Sequence, residues 1–475
     1  MIKRNAYAPT RLTLVGITLT LLVPVVPAQA QPASVQRQAL PNMGQTITPM
    51  APEGARFMPL EPGLPFDPNF LAGQGWQASN AVTTVVSPDR NTLLILTSGY
   101  NRVFNTNFVP PVTTPPTSPY YLPASNEYVF IYDISTGAPI KKQVLQMNWA
   151  YHGIAFDPHL PVFYVSGGPA DAVFVVVQDP TTKLWANHPE MALPLSHGGA
   201  GLGLLTPPQT GPPVPINDQV NVHPCAAGLA IAKDGQTLVV TNYYNDSITV
   251  FSGGFGKWVK VKDLDLRPGK NDASQVGVPG GEYPFWVAIK GAGADAIAYV
   301  SSIRDREVVV VKLAGSTGLF KPVALPEITS RIHVVGQPNK MTLNAAQTRL
   351  YVAEDQSDTV DVIDTATNAI IETIPVIAPA SVVIPKPTEA QVPFTGEKYT
   401  GANTNSVALS PDERQLYVTN GNLNSIAVVA LGGSKSEVVG LIPTGWYPNS
   451  VSFGNNGRVY VVNGKSPTGP NAGWC

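Results

Sequence analysis

Ionisable side chains beside short apolar stretches are the first candidates for chemistry in this chain. His152, Trp286 and Lys340 stand at or just before such stretches, and Glu354 ends another one. A histidine or carboxylate with a shifted pKa, placed next to an oxyanion donor, catalyses hydrolysis by acid–base chemistry. His152, Lys340 and Glu354 could assemble such a group, and the same side chains could equally well bind a ligand.

Other chemistries have little support in the sequence. The chain has six histidines and two cysteines with no CxxC spacing, and of the histidines only His152 and His223 stand just before such stretches, so three or more converging ligands for a catalytic metal have little support. It contains no G-x-S-x-G or H-E-x-x-H motif, and the glycine-rich stretch 198–203 lies in a proline-rich segment without a flanking strand and helix. We therefore predict neither a metal nor a cofactor.

The elements that would position these residues are short strands, because one motif recurs along the chain. Its clearest copies are LVVTN (238–242), YVAE (351–354), YVTN (417–420) and YVVN (460–463), and looser copies lie at 94–98, 163–166 and 299–302. Such repeats bury their apolar faces only against each other. The sequence therefore predicts an all-β, seven-bladed β-propeller with four-stranded antiparallel blades.

Each blade is expected to begin with an inner strand that lines a central channel. These strands are predicted at 83–86, 153–156, 228–231, 286–289, 340–343, 406–409 and 450–453. The last repeat has only two strands before the chain ends, so we expect residues 45–49 and 56–60 to complete it and close the ring. This organisation makes residues 31–475 a single domain.

Polar residues at the starts of the inner strands should meet at one mouth of the channel, where a small-molecule site is expected. The predicted ligand-binding candidates are His152, His223, Trp286, Asn339, Lys340, Glu354, Asn405 and Asn449. A structural role is the alternative for these residues. In that alternative an asparagine at the end of a motif strand caps its own turn, the histidines are ordinary hydrogen-bonded residues, and Lys340 pairs with Glu354.

Four long, proline-rich segments are predicted on the face that holds this mouth. They cover residues 105–126, 187–223, 263–283 and 377–404, whereas the turns of the opposite face are expected to be short. Long irregular segments in a compact domain are usually functional or disordered. Gathered on one face, they indicate a rim for binding a small molecule or a protein.

Composition and the N-terminus place the protein outside the cytoplasm. Lys3, Arg4 and Arg11 precede an apolar run at 12–26, and the Ala-Gln-Ala at 28–30 is typical of a signal-peptide cleavage site. Residues 1–30 are thus a predicted signal peptide, cleaved after Ala30, of a periplasmic or secreted protein. The net charge of −2 gives nucleic-acid binding no electrostatic support, and no second apolar segment predicts a membrane span.

The two cysteines leave two alternatives open. Cys225 heads an apolar strand, where a small buried thiol is common. A disulfide between Cys225 and Cys475 is permitted in an oxidising compartment but depends on distances that the sequence does not give.

The repeated motifs resemble those of YVTN-repeat β-propellers, the YncE-type and lactonase-like group of exported bacterial proteins. A narrower resemblance joins residues 40–65, 96–102 (LTSGYNR), 127–146 and 440–453 to the propeller half of propeller–phosphoesterase fusions. In those fusions an alkaline-phosphatase-like hydrolase follows, and NGKSPTGPN (463–471) is similar to the junction. This chain ends at Cys475, so the resemblance places no phosphoesterase residue on it, and no lactonase catalytic set aligns residue by residue.

The sequence thus favours an exported, non-catalytic binding module that acts alone or alongside a separate phosphoesterase. A lactone or ester hydrolase with its site at the channel mouth is the alternative. The third hypothesis is that the chain is a truncated remnant of a propeller–phosphoesterase fusion.

Overall fold

The computed structural model describes most of the chain between residues 77 and 465. The described residues are 38–39, 46–47, 56, 58–66, 77–99, 126–136, 138–197, 224–269, 278–313, 325–377 and 401–465. They form antiparallel sheets in which neighbouring strands follow each other along the chain. The fold is an all-β β-propeller.

Near the N-terminus a two-stranded sheet pairs β1 (Gln38–Ala39) with β2 (Thr46–Ile47). Blade one contains β3 (Ala81–Val86), β4 (Thr92–Thr97), β5 (Tyr128–Asp133) and β6 (Ile140–Gln146). Blade two contains β7 (Ile154–Phe156), β8 (Val162–Ser166), β9 (Ala172–Gln178), β10 (Trp185–Asn187) and β11 (Leu193–Pro194), and both β10 and β11 pair with β9. Blade three contains β12 (Ala226–Ile231), β13 (Thr237–Asn242), β14 (Ser247–Ser252) and β15 (Val259–Asp265).

The second half of the ring repeats this order. Blade four contains β16 (Pro284–Lys290), β17 (Ile297–Ser302), β18 (Glu307–Lys312) and β19 (Glu327–His333). Blade five contains β20 (Gln337–Leu343), β21 (Arg349–Asp355), β22 (Thr359–Asp364) and β23 (Ala369–Pro375). Blade six contains β24 (Thr404–Leu409), β25 (Gln415–Asn420), β26 (Ser425–Ala430) and β27 (Glu437–Pro443), and a final two-stranded sheet pairs β28 (Pro448–Phe453) with β29 (Val459–Asn463).

The core lies between successive sheets, which explains the apolar runs in the middle strands. Both faces of β13 and β14 are covered by neighbouring blades, so all residues of these strands are buried. One hydrophobic cluster packs β21 and β22 against β25 and β26, and another packs β5 against Tyr460 and Val462 of β29. The innermost strands pack side by side in the order β3, β7, β12, β16, β20, β24, β28 and back to β3.

The prediction of seven four-stranded blades is wrong. The described residues form six blades of four or five strands, and β28 and β29 form a sheet of only two. The predicted closing strand at 45–49 contributes only β2, which pairs with β1 and not with β29, and the described residues of 56–60 are not in a strand. The error has a physical reason: the motif marks the inner two strands of a repeat and carries no information about its outer strands.

The inner strands themselves agree with the sequence prediction, since every predicted inner segment overlaps an innermost strand. The long segments agree less well. Residues 187–223 begin with the end of β10 and include β11, and 263–283 begins with the end of β15, whereas most of 105–126 and 377–404 lies outside the described residues, so the predicted rim stays a prediction. The prediction that all turns of the opposite face are short is wrong for blade four, because β18 ends at Lys312 and β19 begins only at Glu327.

The hydroxyl of the motif shapes the start of the inner strand. The first two strands of blades three, four and six are out of register near that start, as in a β-bulge. The Thr241 hydroxyl accepts a hydrogen bond from the Gly228 amide at 2.7 Å, and the Ser301 hydroxyl accepts one from the Trp286 amide at 2.9 Å. A Cβ on Gly228 would lie 2.5 Å from the Phe285 carbonyl oxygen, so glycine permits the close approach of β16.

Candidate functional site

The starts of the innermost strands form one end of the central channel, which we call the channel mouth. Its floor is Lys340 of β20, whose side chain is only 5% exposed. Lys340 Nζ donates to the Val82 carbonyl, to Thr83 Oγ1 at 3.1 Å and to the Asn449 carbonyl at 3.1 Å. Because β24 and β28 separate β20 from β3 around the ring, this side chain crosses the channel.

Lys340 is a buried cation among neutral partners. Its Nζ lies 5.3 Å from the centre of the Trp286 ring, close enough for a cation–π contact. Burial lowers the pKa of Lys340 to about 7, whereas three oxygen acceptors around Nζ favour the charged ammonium. Lys340 forms no ion pair with any carboxylate of the described residues, so the predicted pairing with Glu354 is wrong.

His152 lies in the same mouth, directly before β7. Its ring packs edge-on against Tyr151 at 4.4 Å and against Phe285 at 4.9 Å between centroids. Burial, with a smaller contribution from the charge of Lys340, lowers the pKa of His152 to about 3, so the imidazole is neutral at physiological pH. Its Nδ1 atom is buried and has no hydrogen-bond partner among the described residues.

The two asparagines of the mouth hold neighbouring sheets together. Asn405 Nδ2 donates to the Pro448 carbonyl at 3.1 Å and to Asn449 Oδ1 at 3.3 Å. Asn449 Nδ2 in turn donates to the Ala81 carbonyl at 2.9 Å. These bonds connect β24 to β28 and β28 to β3, so both side-chain amides have a structural role where the last sheet meets the first blade.

The remaining predicted residues lie apart from this network or beyond the described residues. Asn339 is half-buried at the mouth, and its side chain has no hydrogen bond to another described residue. His223 lies outside the described residues. The structure thus gathers His152, Trp286, Asn339, Lys340, Asn405 and Asn449 at the starts of the innermost strands.

Glu354 is directed into blade five rather than towards His152. Its Oε2 accepts hydrogen bonds from the Gly336 amide at 2.8 Å, Ser357 Oγ at 3.1 Å and Thr359 Oγ1 at 3.2 Å. Burial, together with the hydrogen bond and charge of Asp361, raises the pKa of Glu354 to about 8. The side chains of Glu354 and Asp361 are both fully buried, on the adjacent strands β21 and β22, and Glu354 is protonated at neutral pH.

The asparagines that end the motif strands do not cap their own turns through the backbone. Asn242 Nδ2 donates to Ser247 Oγ and Thr249 Oγ1, both at 3.0 Å, on the next strand of its sheet. Asn420 Nδ2 donates to the Val376 carbonyl at 2.8 Å, at the end of blade five. Their role is structural, but the partners are strands and a neighbouring blade.

Sequence reasoning missed a second buried ionisable group. His197 Nδ1 lies 2.6 Å from Asp171 Oδ1, and its Nε2 lies 3.6 Å from Asp263 Oδ1. Burial opposes the charged form, but Asp171 and Asp263 outweigh it and raise the pKa of His197 to about 9. The contacts of His197 with Asp171 and Asp263, which we call the His197 clamp, join blade two to β15 of blade three. No local pattern around His197 could have indicated them.

Cys225 and possible metal ligands add no further chemistry. The Cys225 thiol is 4% exposed, and burial raises its pKa to about 12, so it is not a nucleophile. Cys475 lies outside the described residues, and the disulfide prediction therefore stays untested. Within the described part of the chain, no three histidine, cysteine, aspartate or glutamate side chains converge as a metal site would require.

Two surface cavities of the described residues lie away from the mouth. One, of about 290 Å³, is lined by Gln146, Asn148, Phe174, Asn187, Pro189 and Ala192. The other, of about 360 Å³, lies between blades five and six and includes Arg349, Glu413 and Arg414. Neither cavity is lined by a buried histidine, cysteine, lysine or carboxylate side chain. No helix of the described residues has the length and apolarity needed to cross a membrane.

Comparisons with known proteins show the fold and not the activity. No protein-family model matches the chain, and no curated protein sequence does. Among solved structures, a protein from Lactobacillus plantarum superposes with a TM-score of 0.50 and 12% identity, over 82% of this chain and 91% of that one. The periplasmic gluconolactonase of Pseudomonas aeruginosa has a TM-score of 0.49 and 14% identity, over 89% and 95% of the two chains. Hydrazine synthase of Kuenenia stuttgartiensis has a TM-score of 0.49 and 14% identity, over 87% and 96%.

Proposed function

We propose that this protein is a binding module that takes a small molecule at the channel mouth. The observation that carries the proposal is the position of Lys340: its side chain crosses the channel from β20 to Val82, Thr83 and Asn449 and so forms a floor. A few polar side chains that converge among aromatic ones are typical of small-molecule sites.

The contacts of the ionisable side chains favour binding over hydrolysis. Glu354 is occupied within blade five and bonds to neither His152 nor Lys340. His152, with a pKa lowered to about 3 by burial, is a weak general base at neutral pH. The ammonium form of Lys340 has no lone pair to act as a base, and its three N–H groups already donate to protein acceptors.

A lactone or ester hydrolase is the second candidate, and one observation favours it. Burial lowers the pKa of Lys340 to about 7, which is the range in which a lysine acts as a general base or nucleophile. In this alternative the neutral amine of Lys340 would act beside His152 in the same mouth.

The export of the protein and its partner are also proposals. The predicted signal peptide at 1–30 supports export to the periplasm or the medium. The resemblance of residues 40–65 and 440–453 to propeller–phosphoesterase fusions supports a separate phosphoesterase as a partner.

A thermal-shift screen of small metabolites, with calorimetry on the hits, tests the binding proposal. We expect at least one ligand to raise the melting temperature, because a ligand that binds only the folded state stabilises it. Asn339→Ala changes the mouth without removing a bond between described residues, and should weaken binding about tenfold through one lost hydrogen bond. Arg414→Ala, on an exposed turn at the opposite end of blade six, is the matched control and should leave affinity unchanged.

Turnover assays on lactones and aryl esters decide between the two candidates. The binding proposal expects no turnover by the wild-type protein. Hydrolysis that is lost in His152→Ala or Lys340→Met would replace it with the hydrolase, whereas hydrolysis that persists in both variants would place activity elsewhere. If neither Asn339→Ala nor Trp286→Phe changes the affinity of the hits, the mouth is not their binding site.

A further inference from the structure

The floor of the channel mouth carries a positive charge that no described acid compensates. The Lys340 ammonium contacts two carbonyls and one hydroxyl, and burial lowers its pKa. Burying an unpaired charge costs free energy even when its hydrogen bonds are satisfied, because dipoles replace water only in part. A negative group placed close to Nζ would recover part of that cost.

His152 supplies a second, independent sign of a missing partner. Its Nδ1 atom is buried and unpaired among the described residues, although buried polar atoms in folded proteins usually have a partner. The charge of Lys340 acts on the imidazole and contributes to its lowered pKa. An acceptor oxygen between the two side chains would satisfy Nδ1 in its N–H form and face the ammonium.

The acid that the sequence predicts as the partner of Lys340 does not fill this role. Glu354 accepts hydrogen bonds from Gly336, Ser357 and Thr359, and its pKa is raised to about 8, so it is protonated at neutral pH. A protonated carboxyl group has no charge to offset that of Lys340. The mouth therefore presents a cation, a neutral imidazole and the indole of Trp286.

We propose that the channel mouth selects acidic small molecules, with the negatively charged oxygens of a carboxylate or phosphate group facing Lys340 and His152. This inference rests on the mouth being a binding site, as proposed above, and adds the chemical class of the ligand. A bound anion also stabilises the ammonium form of Lys340, so binding takes up a proton where free Lys340 is partly neutral.

Fluorescence quenching of Trp286 by small probes tests the charge preference without a known ligand. The signal of Trp286 is the difference between the wild type and Trp286→Phe, and it is quenched with iodide, caesium and neutral acrylamide at constant ionic strength. Because a positive site concentrates anions, we expect the quenching constant of iodide to exceed that of caesium about fivefold at about pH 6. Lys340→Met should remove the preference, and Lys340→Arg should keep it.

A pH series on the wild type covers the case in which Lys340→Met does not fold. Raising the pH from about 6 to about 9 neutralises a lysine of lowered pKa, so the iodide preference should fall while acrylamide quenching stays constant. Equal quenching by iodide and caesium at about pH 6, with efficient acrylamide quenching, would overturn the anion proposal and leave an open mouth. If acrylamide does not quench Trp286, the mouth is closed, and both the binding proposal and this inference fail.

Discussion

Lys340 and Glu354 are buried ionisable groups on adjacent strands of blade five, and the cost of burying a charge is met differently at each. Lys340 on β20 faces the channel and shares its charge with β3 and β28, on the far side of the ring. Glu354 on β21 faces Asp361 within its own sheet and loses its charge by holding a proton. The comparison shows that a group at the axis can recruit partners from several blades, whereas one inside a sheet must be neutralised locally.

This difference decides which group is available for function. Lys340, which is charged below its pKa of about 7, lies next to half-exposed Trp286 and Asn339, where a ligand can reach the surrounding surface. Glu354 and Asp361 are fully buried in blade five. Strand position placed Lys340 and Glu354 in one predicted site, but only the Lys340 side chain reaches the channel.

The largest expected effect comes from removing the cross-channel lysine. Lys340→Met leaves two carbonyls and the Thr83 hydroxyl without their donor, and should reduce the free energy of unfolding by about 3 kcal/mol. Urea unfolding at about pH 6 measures it. Lys142→Met, which removes an exposed pair with Asp133, is the control and should change stability by less than about 0.5 kcal/mol. Equal losses of unfolding free energy in Lys340→Met and Lys142→Met would contradict the conclusion that Lys340 holds several blades together.

The carboxyl pair should make stability fall as the pH rises. Because the folded-state pKa of Glu354 is about 8 and its ordinary value is 4.5, the folded protein keeps a proton that the unfolded chain releases between these values. Wild-type stability should therefore decrease from about pH 5 to about pH 8 by an amount that Glu354→Gln reduces by about 2 kcal/mol. Urea midpoints at both pH values measure this. Parallel pH profiles for the wild type and Glu354→Gln would refute the proton on Glu354, and Glu437→Gln, at the exposed start of β27, is the control.

His197 extends the comparison to a group that keeps its charge through acids rather than dipoles. Its folded-state pKa is raised to about 9, so its stabilisation is complete below the ordinary value of 6.5 and is lost as the pH rises through 9. His197→Gln should lower the free energy of unfolding by about 1–2 kcal/mol at about pH 6 and by much less at about pH 10. A penalty that does not depend on pH would mean that packing, and not the charge, holds the clamp.

The smallest effect is expected at Asn339, which separates the binding role of the mouth from its structural role. Asn339→Ala should change the free energy of unfolding by less than about 0.5 kcal/mol, because the side chain is half-buried and has no described hydrogen bond. Asn405→Ala should cost about 1–2 kcal/mol, because it breaks the bonds to Pro448 and Asn449. Similar losses in both variants would show that the mouth is uniformly structural.

The candidate site was predictable to the extent that strand position decides it. The motif hydroxyls place the starts of β16 and β24, so Trp286 and Asn405 could be assigned to the mouth from the repeat. The directions of long side chains could not be assigned. The sequence is compatible with a salt bridge between Lys340 and Glu354. Only the packed blade shows that the Lys340 side chain crosses the axis and that the Glu354 side chain lies beside Asp361.

The sequence by itself determined the β class, the ring arrangement of repeats and the seven innermost strands, because strand patterns and tight turns are local and recur along the chain. The tertiary structure decided the number of complete blades and the partners of the buried charges. These depend on residues far apart in the chain: Lys340 reaches Val82 across 258 positions, and His197 reaches Asp263 in the next blade. Such contacts follow from ring closure, which no local pattern records.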